Sequence, residues 1–247
     1  MNPWVIALAP LIGLMLALFG AGGGMLTVPL LTYGLHMPMK QAVAASLWIV
    51  AAVSLVALFR QRAWQSLQLR MLAVFAAGGM AGSSAGAHLG MAMSSSLQAG
   101  IFGALVLFVA WWMRRPKPVA ESDIQSSCRC VLTFFTGVVL GIATGVLGVG
   151  GGFMMVPALI WLGVSDYKSA VAHSLVLIVI NALTAGISYA TNMQMAIDPI
   201  LAIAVLASLG SLVGGTLLAR HSGEQLQSAF SIMLLVIGAL MLGKALA

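Results

Sequence analysis

The chain has 247 residues, of which 6% are charged and 61% hydrophobic, with a formal net charge of +6. A soluble domain carries roughly a quarter charged residues, so a surface this poor in charge needs lipid as its solvent. The positive balance does not point to nucleic acid: the basic residues gather in loops between apolar segments, with no basic stripe on a polar helix and no aromatic platform.

A bilayer core takes about 20 apolar residues per helix. In chain order, such segments fall at 4–20 with a continuation at 25–35, then at 41–59, 70–90 and 96–113. The first could pass for a signal peptide, but only Asn2 and Pro3 precede its apolar run and a similar stretch recurs deep in the chain, so it is expected to belong to the structure. A hydrophilic stretch follows at 114–129, with Arg114, Arg115, Lys117, Glu121, Asp123 and Arg129. The pattern then restarts at 130–148, continues at 152–163, and ends with 168–190, 197–219 and 225–246. The predicted fold is an all-α polytopic membrane protein of two homologous repeats. Each repeat has four hydrophobic segments, the first broken at a glycine-rich motif. The boundaries are an N-terminal repeat at 1–113, a cytoplasmic linker at 114–129 and a C-terminal repeat at 130–247.

The restart is a duplication. At an offset of 128 positions, Gly13, Gly20, Gly22, Gly23, Gly24 and Pro29 fall on Gly141, Gly148, Gly150, Gly151, Gly152 and Pro157. Lys40, Ala42, Val43, Ala44, Ser46 and Leu47 fall on Lys168, Ala170, Val171, Ala172, Ser174 and Leu175, and Gly82 and Gly86 on Gly210 and Gly214. Shared hydrophobicity alone would not align glycines, prolines and lysines together.

Arg60, Arg62, Arg70, Arg114, Arg115, Lys117 and Arg129 lie in loops that are expected to be cytoplasmic. If each broken segment crosses once, the halves are parallel and eight basic residues lie inside. If each dips in and returns, the halves are inverted and nine lie inside, with Lys40 and Lys244 outside. One residue does not separate the two, although inverted repeats with broken helices are common in secondary transporters.

Three consecutive glycines make poor helix, and a break within hydrocarbon frees backbone groups that need protein or water partners. Gly22, Gly23 and Gly24, with Gly150, Gly151 and Gly152, therefore become candidates to line a polar cavity, with amides facing an anion; the plainer alternative is close helix packing. Lys40 and Lys168 each open a helix, where a cation opposes the helix dipole. They can pair with an anion or extend to the interface. Ser46 and Ser174, nearly two turns on, can donate to a substrate oxygen or bond back to their own helix. His173 stands where the first half has Ala45; an intramembrane histidine is a candidate for proton coupling or a hydrogen-bonded structural group. Asn181, Thr184 and His88 are weaker candidates of the same kind. Glycines every four residues at Gly78, Gly82, Gly86 and Gly90, and at Gly137, Gly141 and Gly145, predict smooth faces for helix packing.

Cys128 and Cys130 form a lone C-x-C without metal-site spacing. No signature of a hydrolase, metalloprotease or nucleotide-binding loop is present, so neither enzyme nor cofactor is expected.

The duplicated G-x-G-G-G-x(4)-P element, followed by K-x-A-x-A-x-S at Lys40 to Ser46 and Lys168 to Ser174, resembles the sulfite exporter TauE/SafE family over nearly the whole chain. The resemblance implies export of a small anion such as sulfite or a sulfonate across the bacterial inner membrane. One departure is Thr27, which corresponds to Met155, so the two half-sites are unequal. The expected function is secondary transport of such an anion, with Gly22, Gly23, Gly24, Thr27, Lys40, Ser46, Gly150, Gly151, Gly152, Lys168, His173 and Ser174 at the substrate. The expected partners are the bilayer and a coupling proton or sodium ion, with room for a homo-oligomer. Two rival readings are a redox or metal-handling protein using Cys128, Cys130, His88 and His173, and a membrane assembly factor.

Overall fold

The computed structural model describes residues 3–19, 22–61, 67–113, 130–148, 150, 152–164, 167–193 and 197–220, with 225, 228, 232 and 235 of the last segment. The linker at 114–129 and most of the segment at 225–246 lie outside the described residues. Nine helices are described: α1 Pro3–Phe19, α2 Gly22–Pro29, α3 Met39–Gln61, α4 Leu69–Ala92, α5 Ser95–Met113, α6 Cys130–Leu147, α7 Gly152–Trp161, α8 Tyr167–Ala190 and α9 Ile197–Arg220. No strand occurs among the described residues.

Segment lengths follow from the solvent. At 1.5 Å per residue, the 23 to 24 residues of α3, α4 and α8 are enough for a hydrocarbon core of about 30 Å. By length and apolarity, Met39–Gln61, Cys130–Leu147, Tyr167–Ala190 and Ile197–Gly214 can each cross a membrane. Large apolar side chains such as Phe59, Phe108, Phe135 and Val139 stay exposed on the outside, as lipid contact requires. The protein is a multi-pass helical membrane protein.

The broken first segment of the N-terminal repeat is a hairpin. Pro29 ends α2 and is followed by a wide π-helical turn, Leu30–Gly34. That turn lies against the start of α1: a Cβ added at Gly34 would come within 2.8 Å of Val5 Cγ2. The arms enclose an apolar cleft of about 380 Å³ lined by Val5, Leu8 and Ile12 on one side and Leu26, Leu30 and Tyr33 on the other. The chain therefore runs in along α1 and comes back along α2 and the π-helical turn.

The two halves interlock. The most extensive contacts are α4 on α6 and α1 on α9, each between one repeat's first helix and the other's fourth. Glycine makes this approach possible. On α4, Gly78, Gly82 and Gly86 face the carbonyls of Phe134, Val138 and Ile142; on α6, Gly137, Gly141 and Gly145 face those of Phe75, Gly79 and Ser83. An added methyl group at any of these would overlap backbone. The pairings ascend together, so α4 and α6 run parallel. Gly210 against Pro10 and Gly214 against Leu14 repeat the pattern of Gly82 and Gly86 at the 128-residue offset.

The central pair, α3 and α8, runs antiparallel. The Gln68 backbone N–H, at the start of α4, donates to His173 near the start of α8 (2.9 Å), Lys40 at the start of α3 reaches the Met91 carbonyl at the end of α4, and Trp48 in the first half of α3 meets Gly186 in the second half of α8. The end carrying Arg60, Arg70 and Lys168 is thus one basic end of the bundle. Helix α6 leaves that end and finishes with Val146 beside Gly90, late in α4. Since α8 begins back at the basic end, α7 must bring the chain home. Both broken segments turn back, and the repeats are inverted.

Candidate functional site

The break in the second half sits at the centre of this arrangement. Gly148 and Gly150 both have φ of +70°, a left-handed conformation that costs glycine little and other residues more. The Gly148 N–H closes the last turn of α6 on the Thr144 carbonyl (2.9 Å). A Cβ added at Gly150 would come within 2.7 Å of Val50 Cγ1 and 3.1 Å of Ile178 Cγ2. Gly148 lies against Val43, one turn into α3, and Gly150 against Val50 and Ile178, at the midpoints of α3 and α8, so the turn runs from near the end away from the basic loops back to mid-depth.

A helix end leaves its last carbonyls without intrahelical partners, which is costly away from water. Three different helices supply donors here. The Tyr189 hydroxyl from α8 donates to the Gly145 carbonyl (3.1 Å), Gln98 Nε2 from α5 donates to the Val146 carbonyl, and the Ser46 hydroxyl from α3 donates to the Gly148 carbonyl. The negative end of α6 is thereby covered by side chains. The chain then opens α7 at Gly152, whose first-turn amides have no partner within the helix.

The first half carries the related contact. Gln61 Nε2 donates to the Ala17 carbonyl (3.0 Å), matching Tyr189 and Gly145 at the 128-residue offset. Gly20 and Ala21 lie outside the described residues; Gly22 and Gly23 open α2, and Gly24 and Thr27 are buried within it. Gly151 also lies outside the described residues.

The remaining expected site residues divide between the centre and the two ends. Ser46 and Ser174 are fully buried; the one Ser46 hydroxyl proton is shared between the Gly148 and Val43 carbonyls (2.7 Å to Val43), and Ser174 donates to the Val171 carbonyl of its own helix (2.8 Å). Lys40 lies at the end away from the basic loops, where its Nζ donates to the Met91 carbonyl (2.6 Å) at the close of α4. Lys168 is exposed at the basic end. His173 is buried there, with Nδ1 2.7 Å from the Ser169 carbonyl and Nε2 accepting from Gln68. A backbone N–H can only donate, so this pair of contacts fixes the neutral ring with its proton on Nδ1. The lysines and His173 are thus not gathered at the glycine break.

Gln61, Gln98 and Tyr189 escaped sequence reasoning. The signal that could have found Gln98 is a polar residue inside the apolar segment 96–113. Gln61 and Tyr189 occupy matching positions but differ in type, so the repeat alignment passes over them. Cys130 is free at the start of α6, Cys128 lies outside the described residues, and His88 is exposed. No group of three His, Cys, Asp or Glu able to hold a metal ion occurs among the described residues.

Inverted halves built on broken hairpins, with a backbone turn at mid-depth, define the architecture of a membrane transporter. The chain belongs to the sulfite exporter TauE/SafE family, whose model matches residues 5–241. It is 28% identical to a "Probable membrane transporter protein" of Xylella fastidiosa (strain Temecula1), covering 92% of this chain and 89% of the relative. It is 26% identical to "Probable membrane transporter protein MJ0441" of Methanocaldococcus jannaschii, covering 94% and 93%. It is 25% identical to "Probable membrane transporter protein YdhB" of Bacillus subtilis (strain 168), covering 96% and 99%. No solved structure matches the chain.

Proposed function

We propose that the protein is a secondary transporter that exports a small anion, such as sulfite, a sulfonate or another sulfur-containing or organic anion, across the bacterial inner membrane. The observation that carries this is the turn at Gly148–Gly150. The carbonyls of Gly145, Val146 and Gly148 leading into it are taken up by Tyr189, Gln98 and Ser46, while Gly150, two residues before the amide end of the ten-residue α7, lies beside the midpoints of α3 and α8. Helix N-termini favour negative charge, through unpaired N–H groups and the dipole.

On this reading the backbone at Gly150, Gly151 and Gly152, and at Gly22, Gly23 and Gly24, replaces part of the anion's hydration. Thr27 adds a hydroxyl in the first half only. Ser46 holds the second hairpin against α3, and Ser174 is its repeat counterpart on α8. Lys40 and Lys168 stand at opposite mouths, where positive charge raises the local anion concentration. The sequence carries no nucleotide-binding loop, so the driving force is an ion gradient, proton or sodium, or the substrate's own gradient.

The test is flux through purified protein in liposomes offered sulfite, thiosulfate, sulfoacetate and chloride in turn. The expected result is movement of one of the sulfur anions, abolished by Gly151→Leu. If none of them moves, or Gly151→Leu and Gly23→Leu both transport like wild type, the proposal fails.

A further inference from the structure

Most buried polar side-chain atoms in this protein have partners; the exceptions are concentrated. Among the described residues, the buried atoms without a hydrogen-bond partner are Trp48 Nε1, Ser54 Oγ, Gln98 Oε1, Tyr167 OH, and Nδ2 and Oδ1 of Asn181. All but the Gln98 oxygen belong to α3 or α8, the antiparallel pair at the centre. Unpaired polar groups are costly in a bilayer core, so a seam that holds so many of them needs a use.

Their order along the seam suggests what it is. Val50 and Ile178 meet at Gly150. Ser54 lies one turn beyond Val50 on the same face of α3, and Asn181 just under one turn beyond Ile178 on α8. Because the helices are antiparallel, these two residues fall on opposite sides of the Gly150 level. Tyr167 lies further towards the basic end, at the start of α8, and Trp48 further towards the other end, against Gly186. Asn181 and Ser54 are fully buried. Asn181 lies against Gly79 of α4, where an added Cβ would come within 2.8 Å of its Nδ2, so glycine makes the room this amide occupies.

We infer that the seam where α8 meets α3 and α4 is the translocation route, with Tyr167, Ser54, Asn181 and Trp48 as successive neutral hydrogen-bond donors to an oxyanion passing the Gly150 turn. Neutral donors suit passage, because a cation at the same depth would hold the anion more tightly than transport allows. The inference rests on the anion-transport reading and adds the route and its central residue, Asn181.

Two measurements test it. The first is initial sulfite flux through full-length protein in liposomes, for wild type, Asn181→Leu, Ser54→Ala, Trp48→Phe and Thr184→Val. Thr184 is on α8 too, but its hydroxyl already donates to the Ile180 carbonyl (2.8 Å). Asn181→Leu is expected to slow flux by about tenfold or more, as loss of a needed hydrogen-bond partner would. Ser54→Ala and Trp48→Phe slow it less, and Thr184→Val leaves it unchanged. The second uses Asn181→Cys and Ser54→Cys in a chain whose Cys128 and Cys130 are replaced by Ser, treated with a membrane-impermeant sulfonated methanethiosulfonate. Both positions are expected to label. Wild-type flux in a monodisperse Asn181→Leu protein, or failure of both cysteines to label, overturns the route. If Asn181→Leu does not fold, labelling alone decides. If wild type moves no sulfur anion but both cysteines label, the transport reading fails and a polar route remains.

Discussion

Lys40 illustrates how a residue's meaning changes once its neighbours are known. Along the sequence it opens α3, where a cation opposes the helix dipole. In the structure its Nζ reaches the Met91 carbonyl at the end of α4, where a cation is favourable. Ser46 shows the same shift: its donation to the Gly148 carbonyl joins residues 102 apart, a link that no local pattern could reveal. Ser46→Ala leaves that carbonyl buried without its donor, which costs about 1–3 kcal/mol; thermal unfolding in detergent is expected to show a lower midpoint. Tyr189→Phe, freeing the Gly145 carbonyl, should act in the same direction. The glycine motif and the paired serines were legible because they repeat. Tyr189 and Gln61 were not, because the same cap is made by two unrelated side chains.

At the scale of elements, the four-residue glycine spacing identified the packing faces but not their partners. Hydrophobic pattern cannot say which of several smooth faces meet, since lipid and protein interior are equally apolar. The seam between α4 and α6 makes a sharp prediction about substitutions of equal size. Gly82→Ala puts a methyl group into the Val138 carbonyl, whereas at Gly100 in α5 nothing lies within 4 Å of an added Cβ. Gly100→Ala should therefore stabilise the fold by up to about 1 kcal/mol through helix propensity, and Gly82→Ala should destabilise it. Opposite shifts of the unfolding midpoint are the expected outcome. The segments up to 220 were readable nearly to the residue, because about 20 apolar positions are what a bilayer demands.

For the whole molecule, duplication was plain in the sequence but its sense was not. Loop charges separated parallel from inverted halves by a single residue, since the basic loops share a side either way. Contacts decide it: Gly34 against Val5 closes the first hairpin, the Gln68 N–H on His173 brings the start of α4 to the start of α8, and Lys40 on the Met91 carbonyl brings the start of α3 to the end of α4. Inversion puts the two lysines at opposite ends of the bundle. The most direct test is sided labelling of Lys40→Cys and Lys168→Cys in intact cells, in a chain whose Cys128 and Cys130 are replaced by Ser. With the basic end cytoplasmic, an impermeant thiol reagent should modify position 40 from outside and position 168 only after the membrane is opened. Modification of both positions from the same side would contradict the inverted architecture.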